Sequence, residues 1–304
     1  MSHPSPIFDK LKARLPRALV RQDEPLARRT TLRVGGCADV YVEPSCEDDL
    51  ALLIQTCNEE RAPFMVLGRG SNLLIRDGGV RGVVVCLAHA HFCTIALEGC
   101  QLRCGAGAKL KAVAAKARES LLGGLEFLEG IPGSVGGALR MNAGAMGGAT
   151  FEVVTQVRFM DETGQAHERN ISQVPVEYRS CPLFKTNIAL AATFLGHPDS
   201  KEAIAQRADQ FNQVRWQSQP KEPSAGCIFK NPSPTLSAGK LIDELGLKGT
   251  RRGGAAVSTV HGNFIVNDGS ATAADVLELI ELLKTRAKAE RGIELREEVE
   301  IIGQ

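Results

Sequence analysis

Cys227 stands in the loop SAGCIFKNP (224–232), with a glycine before the thiol, apolar residues after it, and Lys230 and Asn231 just beyond. A thiol in this setting is either a buried structural cysteine or a proton donor, and its reference pKa of about 8.5 makes it a readier donor than a hydroxyl. Tyr178-Arg179, in VEYRSCPLF, sets a guanidinium beside a phenol. It serves either as an ordinary ion-pair partner or as a bidentate clamp on an anion. Glu297, Glu298 and Glu300 alternate along the final run LREEVEIIG, so Glu298 points away from Glu297, and a solvated strand face is the default for all three. His89 and His91 place two imidazoles on one side of a strand or turn. No carboxylate or thiol completes a ligand set there, so no metal is expected.

A different chemistry is written in Gly123 to Gly148, GGLEFLEGIPGSVGGALRMNAGAMGG, where nine of 26 residues are glycine. Such a density destabilises helix and strand alike and is kept where the backbone needs positive φ or close approach to something. Successive N–H groups with no side chains before them form concave nests suited to a pyrophosphate. Leu125, Phe127, Leu128, Ile131, Val135, Leu139 and Met141 make the stretch apolar, which excludes a solvated linker. It suits a large, flat, phosphate-bearing cofactor buried against main chain. Two loops upstream read G-x-G: Gly68-Arg69-Gly70-Ser71-Asn72 and Gly105-Ala106-Gly107. Neither completes G-x-G-x-x-G, because Leu73 and Leu110 occupy the last position, and Gly239-Lys240 continues into Leu241 rather than a P-loop hydroxyl. A single G-x-G is an ordinary turn; two of them ahead of the glycine tract favour a cradle of non-Rossmann type.

The elements that must position these residues read as a mixed α/β chain. ADVYV (38–42) alternates as a strand, and Ser45 with Asp48 forms a capping-box start for a helix carrying Leu50, Leu53, Ile54 and Cys57. PFMVLG and VVVCL are short strands, Lys109–Ser120 is a helix with Leu110, Val113, Ala114 and Ala117 on one face, and VVTQVRFM-DETG-QAHERNI is a hairpin. Near residue 196 the composition changes. A helix opened by His197-Pro198-Asp199 carries Ile204, Ala208 and Phe211, and a short one starts at Ser237. Strands AAVS and NFIVN follow. The clearest helix then starts at the Thr272–Asp275 capping box and buries Val276, Leu279, Ile280, Leu283 and Ala287 before Gly292 stops it.

At 304 residues the chain holds two or three domains, and its 43% apolar and 23% charged content is that of a globular protein. A net charge of +1 with no basic stripe gives no reason to expect nucleic acid or an anionic membrane. No apolar run approaches the ~18 residues of a membrane span. The opening MSHPSPIFDKLKARLP lacks an apolar signal core, so a cytoplasmic location is expected. The nine cysteines form no C-x-x-C pair, and a disulfide framework is not expected at this size.

Taken together, the segments resemble the UDP-N-acetylenolpyruvoylglucosamine reductase family over residues 29–303. The resemblance rests on TTLRVGGCADVYVEP, LGRGSNLLIRDGGVRGVVV, GLEFLEGIPGSVGGALRMNAGAMGG, YRSCPLF, SAGCIFKNP, AGKLIDELGLKGTRRGGAAVSTVHGNFIVN and IELREEVEIIG, in family order. Any one run is weak; the series is specific. It implies an α+β protein: an FAD-binding fold of the vanillyl-alcohol oxidase/para-cresol methylhydroxylase type plus a smaller α+β substrate-binding domain. The expected boundaries are 1–195 for FAD (subdomains 1–88 and 89–195) and 196–304 for substrate, with residues 293–304 returning to the flavin site. The short stretch after YRSCPLF resembles the subgroup without a tyrosine-bearing insertion. The implied reaction, in peptidoglycan precursor synthesis, takes electrons from NADPH through FAD to the CH–CH bond of UDP-N-acetylglucosamine enolpyruvate, giving UDP-N-acetylmuramate, in a monomer.

The same resemblance assigns Gly68, Arg69, Gly70, Ser71, Asn72, Gly133, Ser134, Val135, Gly136, Gly137, Asn142, Gly144 and Ala145 to the cofactor. Arg179 is expected on the substrate carboxylate, Cys227 as the acid at C2 and Glu298 as a second, neutral partner. Tyr178, Lys230, Asn231 and Lys240 are expected at the substrate, the last three on its phosphates. Cys227 stands where many members have serine, and Thr30 where asparagine is common. Two rival readings are an oxidase of the same flavin fold, with no need of Cys227 or Glu298, and a binding module without turnover.

Overall fold

The Thr272 capping box forms as its spacing predicts: the Thr272 hydroxyl oxygen accepts from Asp275 N at 3.1 Å and Asp275 Oδ2 accepts from Thr272 N at 2.8 Å, opening the helix Ala273–Arg291. Its apolar stripe is wholly buried, and each large aliphatic side chain removed from water contributes about 1.5–3 kcal/mol. Asp77 adds a second cap from far upstream, accepting from Ala273 N and Ala274 N at 2.9 Å each. The helix Leu110–Glu119 also follows its pattern, burying Leu110, Val113, Ala114 and Ala117. At Glu47–Glu59 the cap differs from expectation. Cys46 occupies the N-cap position with no side-chain bond, and Ser45 instead donates from its amide to Asp49 Oδ2 at 3.0 Å and from its hydroxyl to the same carboxylate. The carboxylate one residue beyond Asp48 has the reach to close this turn.

In this computed structural model, which describes residues 6–304, the chain forms two compact units. Residues 1–5, where the opening without a signal core begins, lie outside the described residues. The first unit comprises residues up to Gln22, Val40–Arg69 and Gly82–Val214; the second comprises Asp23–Asp39, Gly70–Arg81 and Arg215–Gln304. Two segments on the N-terminal side of residue 196, 23–39 and 70–81, thus belong to the unit that carries the C-terminal third, and the units interleave along the chain.

The first unit holds an antiparallel sheet ordered Ala166–Asn170, Val154–Met160, Ile188–Leu195, Gln101–Gly105, Ile95–Glu98. The hairpin expected around DETG is its first pair, with Met160 opposite Ala166. Another four-stranded sheet, three of whose strands run across the chain divisions between the two units, orders Leu19–Pro25, Cys37–Glu43, Val80–Val85 and Phe64–Val66, the last two parallel. Leu50, Leu53, Ile54, Phe92, Val113, Leu139, Val157 and Phe194 belong to the first unit's core. The second unit is built on Ser224–Cys227, Phe264–Asn267, Ala255–Val257 and Arg251–Arg252, antiparallel in that order. It has its own core, centred on Leu32, Leu74, Ile228, Phe229, Leu241, Ile265, Leu279 and Leu283. The final strand covers only Glu300–Ile302 and pairs parallel with Leu73–Ile75. Glu297 and Glu298 precede it, so the alternation expected over all three glutamates is confined to a shorter run. Among the described residues no helix is long and apolar enough to cross a membrane.

Candidate active site

In the first unit the glycine-rich tract folds into three short pieces: a 3-10 turn over Glu126–Gly130, the helix Val135–Met141, and a tight hairpin of Gly144–Ala145 with Gly148–Ala149. Asn142 ends the helix in the left-handed region at φ 39°. Its side chain ties two neighbours together, accepting from Phe151 N at 3.3 Å and donating to Glu177 O at 3.2 Å. Glu177 and Ser180 exchange backbone bonds (2.9 and 3.3 Å), making a turn with Tyr178 and Arg179 at its tip. Arg179 sits there at φ 55°, a conformation that costs a non-glycine residue on the order of 1 kcal/mol. Strain of this kind collects at functional sites. Cys181 N donates to Arg140 O at 3.0 Å, fastening the turn to the end of the helix.

Hairpin and turn border an open cavity of about 260 Å³ lined by Asn142, Gly144, Ala145, Met146, Gly147, Gly148, Ala149, Tyr178 and Arg179. A Cβ on Gly144 would lie 2.6 Å from Gly148 O and 3.0 Å from Arg179 Nη1, so only glycine lets the guanidinium approach the hairpin. The guanidinium also lies 5.4 Å from the Tyr178 ring centre. Ser180 Oγ is buried with no hydrogen-bond partner among the described residues. A cation, bare main chain and an unsatisfied buried hydroxyl are a donor set that fits an anionic, planar ligand.

The sequence-expected residues divide. Asn142, Gly144, Ala145, Tyr178 and Arg179 are brought together at this cavity. Met146, Gly147, Gly148 and Ala149 line it too, and Ser180 sits in its turn; the first three were signalled only by the Gly-rich tract and Ser180 only by YRSCPLF, while Ala149, one residue past the tract, had no signal. Gly133 to Gly137 do not line it. Gly133 N donates to Ile131 O at 2.8 Å, Val135 N to Ala108 O at 2.9 Å and Gly136 N to Ala106 O at 2.8 Å, so these amides are engaged within the protein rather than forming an open nest. Ser134 is buried, and a Cβ on Gly68, the residue before Arg69, would reach its hydroxyl at 3.0 Å. The Gly105-Ala106-Gly107 loop has a packing role. Its amides donate to Thr94, Leu190 and Phe92 carbonyls, and side chains at Gly105 and Gly107 would collide with Phe92 and Leu87.

In the second unit, Cys227 ends the strand Ser224–Cys227, whose ladder with Phe264–Asn267 shifts register between Ser224 and Cys227. Gly226 takes φ 76° inside this bulge, a torsion that glycine adopts freely. Ile228 O then accepts from Glu298 N at 2.8 Å and Val299 N at 3.3 Å. Asn72 reaches the same segment, donating from Nδ2 to Glu298 O at 3.0 Å, while its own carbonyl accepts from Glu300 N at 3.0 Å. The segments carrying Cys227, Asn72 and Glu298 are thereby tied together, through the Ile228 carbonyl and the Asn72 side chain, with Ser71 O 3.8 Å from where a Gly226 Cβ would stand. Gly70 O accepts from Thr31 N at 3.2 Å. Thr30 spends its hydroxyl on a local turn, accepting from Arg33 N at 3.1 Å.

The three expected phosphate ligands are more dispersed. Lys230 N donates to Arg296 O at 2.9 Å. Asn231 Oδ1 accepts from Ala238 N at 3.1 Å, and Ser237 Oγ accepts from Lys240 N at 3.2 Å, so both cap the helix Ala238–Glu244. Lys240 is exposed, 3.8 Å from Glu244.

An FAD binding domain model matches residues 38–169, and a model of the C-terminal domain of UDP-N-acetylenolpyruvoylglucosamine reductase matches 219–302. A reductase of that name from Geobacter metallireducens is 43% identical over 299 residues, 98% of either chain. One from Heliobacterium modesticaldum is 44% identical over 284 residues, 93% of this chain and 90% of that one. The crystal structure of the Thermus caldophilus enzyme superposes with a TM-score of 0.81 at 38% identity, covering 94% of this chain and 99% of that one. Near-complete coverage at this identity, with the FAD-binding and C-terminal models in order, makes the chain a member of the UDP-N-acetylenolpyruvoylglucosamine reductase family.

Proposed function

We propose that this chain uses FAD and NADPH to reduce UDP-N-acetylglucosamine enolpyruvate to UDP-N-acetylmuramate, a step of peptidoglycan precursor synthesis. Family membership supports the reaction. The observation that carries the site reading is the main-chain link through Ile228, which joins the segment bearing Cys227 to the one bearing Glu298. When bound, FAD supplies hydride transfer, from NADPH to the vinyl carbon C3 of the substrate. Its proposed holders are Gly68 to Asn72, Asn142, Gly144 and Ala145, with the Gly133–Gly137 segment contributing close main-chain packing rather than the Gly133, Val135 and Gly136 amides.

The chain's own residues do the rest. Hydride addition at C3 leaves negative charge on C2 and the carboxylate. Arg179, a planar fork with its backbone already fixed, binds the carboxylate in two parallel hydrogen bonds. Tyr178 lies beside that guanidinium. Cys227 delivers the proton to C2, so hydride and proton together saturate the double bond. Glu298, in its protonated form, donates a hydrogen bond to the developing charge. Lys230, Asn231 and Lys240 serve the UDP end, Asn231 by its Nδ2 since its oxygen caps a helix. We place the protein in the cytoplasm, as a monomer.

The test is a spectrum and an assay. The purified protein should be yellow, or take up FAD, and should oxidise NADPH only when the enolpyruvyl substrate is added. Oxidation that proceeds with oxygen alone would mark an oxidase of the same fold, and a colourless chain that takes up no flavin would end the proposal.

A further inference from the structure

The ladder that carries Cys227 stops there, opposite Phe264. Yet the next two residues, Ile228 and Phe229, are buried at 1% exposure each and need partners for their backbone groups. Asn263, itself 3% exposed, provides them for Ile228 N and for both groups of Phe229. Its carbonyl accepts from Ile228 N at 2.9 Å. Its side chain closes on Phe229 from both ends: Oδ1 accepts from Phe229 N at 2.9 Å and Nδ2 donates to Phe229 O at 2.8 Å. A carboxamide that pairs both groups of one residue stands in for the missing strand neighbour. The clamp is fixed in turn, because Asn263 N donates to His261 Nδ1 at 3.1 Å and the His261 ring packs edge-on to Phe264 at 4.9 Å.

On the far side of the same segment lie Glu298 and Val299, bonded to Ile228 O. One residue therefore holds a two-residue strip, its main chain on Ile228 and its side chain on Phe229, with Cys227 just before the strip and the Glu298 segment along its other edge. We infer that Asn263 is a positioning residue for the protonation step, setting the Cys227 thiol and, through Ile228, Glu298. This rests on the proposed roles of Cys227 and Glu298. Displacing an acid by about 1 Å costs up to ~10²-fold in rate, whereas hydride delivery from NADPH needs no proton from Cys227.

The test uses the flavin-loaded full chain with Asn263→Ala and Asn263→Asp. The aspartate keeps size and the acceptor for Phe229 N but turns an oxygen towards Phe229 O. Both variants should keep flavin content and the NADPH half-reaction within about twofold and slow reoxidation by the enolpyruvyl substrate by roughly 10–10²-fold. Adding Asn263→Asp to Cys227→Ala should then cost only a few-fold more, since the thiol being positioned is gone and only the smaller effect through Glu298 is left. Independently of flavin, amide hydrogen exchange at Glu298 and Val299 should speed up in Asn263→Asp. Losses that multiply in the double variant, equal slowing of both half-reactions, or unchanged exchange would each overturn the inference. Wild-type reoxidation in Cys227→Ala alone would instead remove the acid assignment on which it rests.

Discussion

Substitutions at three residues separate chemistry from scaffolding. Cys227→Ala should leave flavin reduction by NADPH nearly intact and slow reoxidation by the enolpyruvyl substrate by ~10²–10⁴-fold, the usual loss for a positioned general acid. Cys227→Ser should restore much of that rate, because a hydroxyl at the same bulge reaches the same carbon. Equal loss in both half-reactions would make the thiol structural. Arg179→Lys should be poorly tolerated although the charge stays, since lysine is a point donor and cannot form two parallel bonds to a carboxylate. Unchanged kinetics in that variant would reduce Arg179 to an ordinary cation at a strained turn. Glu298→Gln should keep more activity than Glu298→Ala, because an amide still donates; loss of such a donor costs ~3–4 kcal/mol. If both were equally inactive in single-turnover reoxidation, Glu298 would be the proton source and Cys227 would lose that role.

At the scale of elements, the second unit depends on one helix that is capped twice. Thr272 and Asp275 close the box locally, while Asp77 binds the first two amides of Ala273–Arg291 across 196 and 197 residues of sequence. An N-cap acceptor is worth about 1 kcal/mol, so Asp77→Ala should lower the denaturation free energy by that order with little change in slope. Leu279→Ala, which empties part of the fully buried stripe, should cost more, about 2–5 kcal/mol. An Asp77→Ala variant as stable as wild type would mean that the local box alone sustains the helix. In the first unit, Gly144→Ala should disturb the cavity hairpin far more than its stability share, because the new methyl meets Gly148 O and the Arg179 guanidinium together.

For the molecule as a whole, bound flavin and buried thiols set how stability responds to conditions. A ligand that binds only the folded chain adds about 2.7 kcal/mol at a hundred times its dissociation constant, so stripping FAD should lower Tm, and added FAD should restore it in a concentration-dependent way. Apo and loaded protein melting together would contradict tight cofactor binding. Burial pushes the Cys57 thiol up to about 11 and the Cys104 thiol up to about 12. Each folded-state pKa lies above its unfolded value of about 9, so the contribution is complete below pH 9 and is lost as pH rises from 9 through 11 and 12. Cys57→Ala/Cys104→Ala should therefore flatten the fall of Tm above pH 9, and an unchanged slope would show that these thiols do not control alkaline stability.

From the sequence alone came the family, the helices starting near Glu47, Leu110, Lys201, Ala238 and Ala273, about half of the strands, and the residue sets around Arg179 and Cys227; Gln101–Gly105 and Ile188–Leu195, which form the middle of the large sheet, were not read. The legible features are local. A capping box spans four residues, a buried stripe repeats every three or four, and motifs such as SAGCIFKNP keep their own order. Partners distant in sequence leave no such mark. The bond from Asn72 to Glu298 joins residues 226 apart, and Glu300–Ile302 chose Leu73–Ile75 as its neighbour, although neither run's period names the other. Nor does the pattern of Asn263 distinguish a carboxamide that pairs with Phe229 from one that faces water. The glycines at 105 and 107 looked like a phosphate cradle until neighbouring carbonyls were seen to fill the space beside them. Periodicity along the chain encodes which faces are buried; which backbone groups meet there is decided only when the folded chain must satisfy every buried donor and acceptor at once.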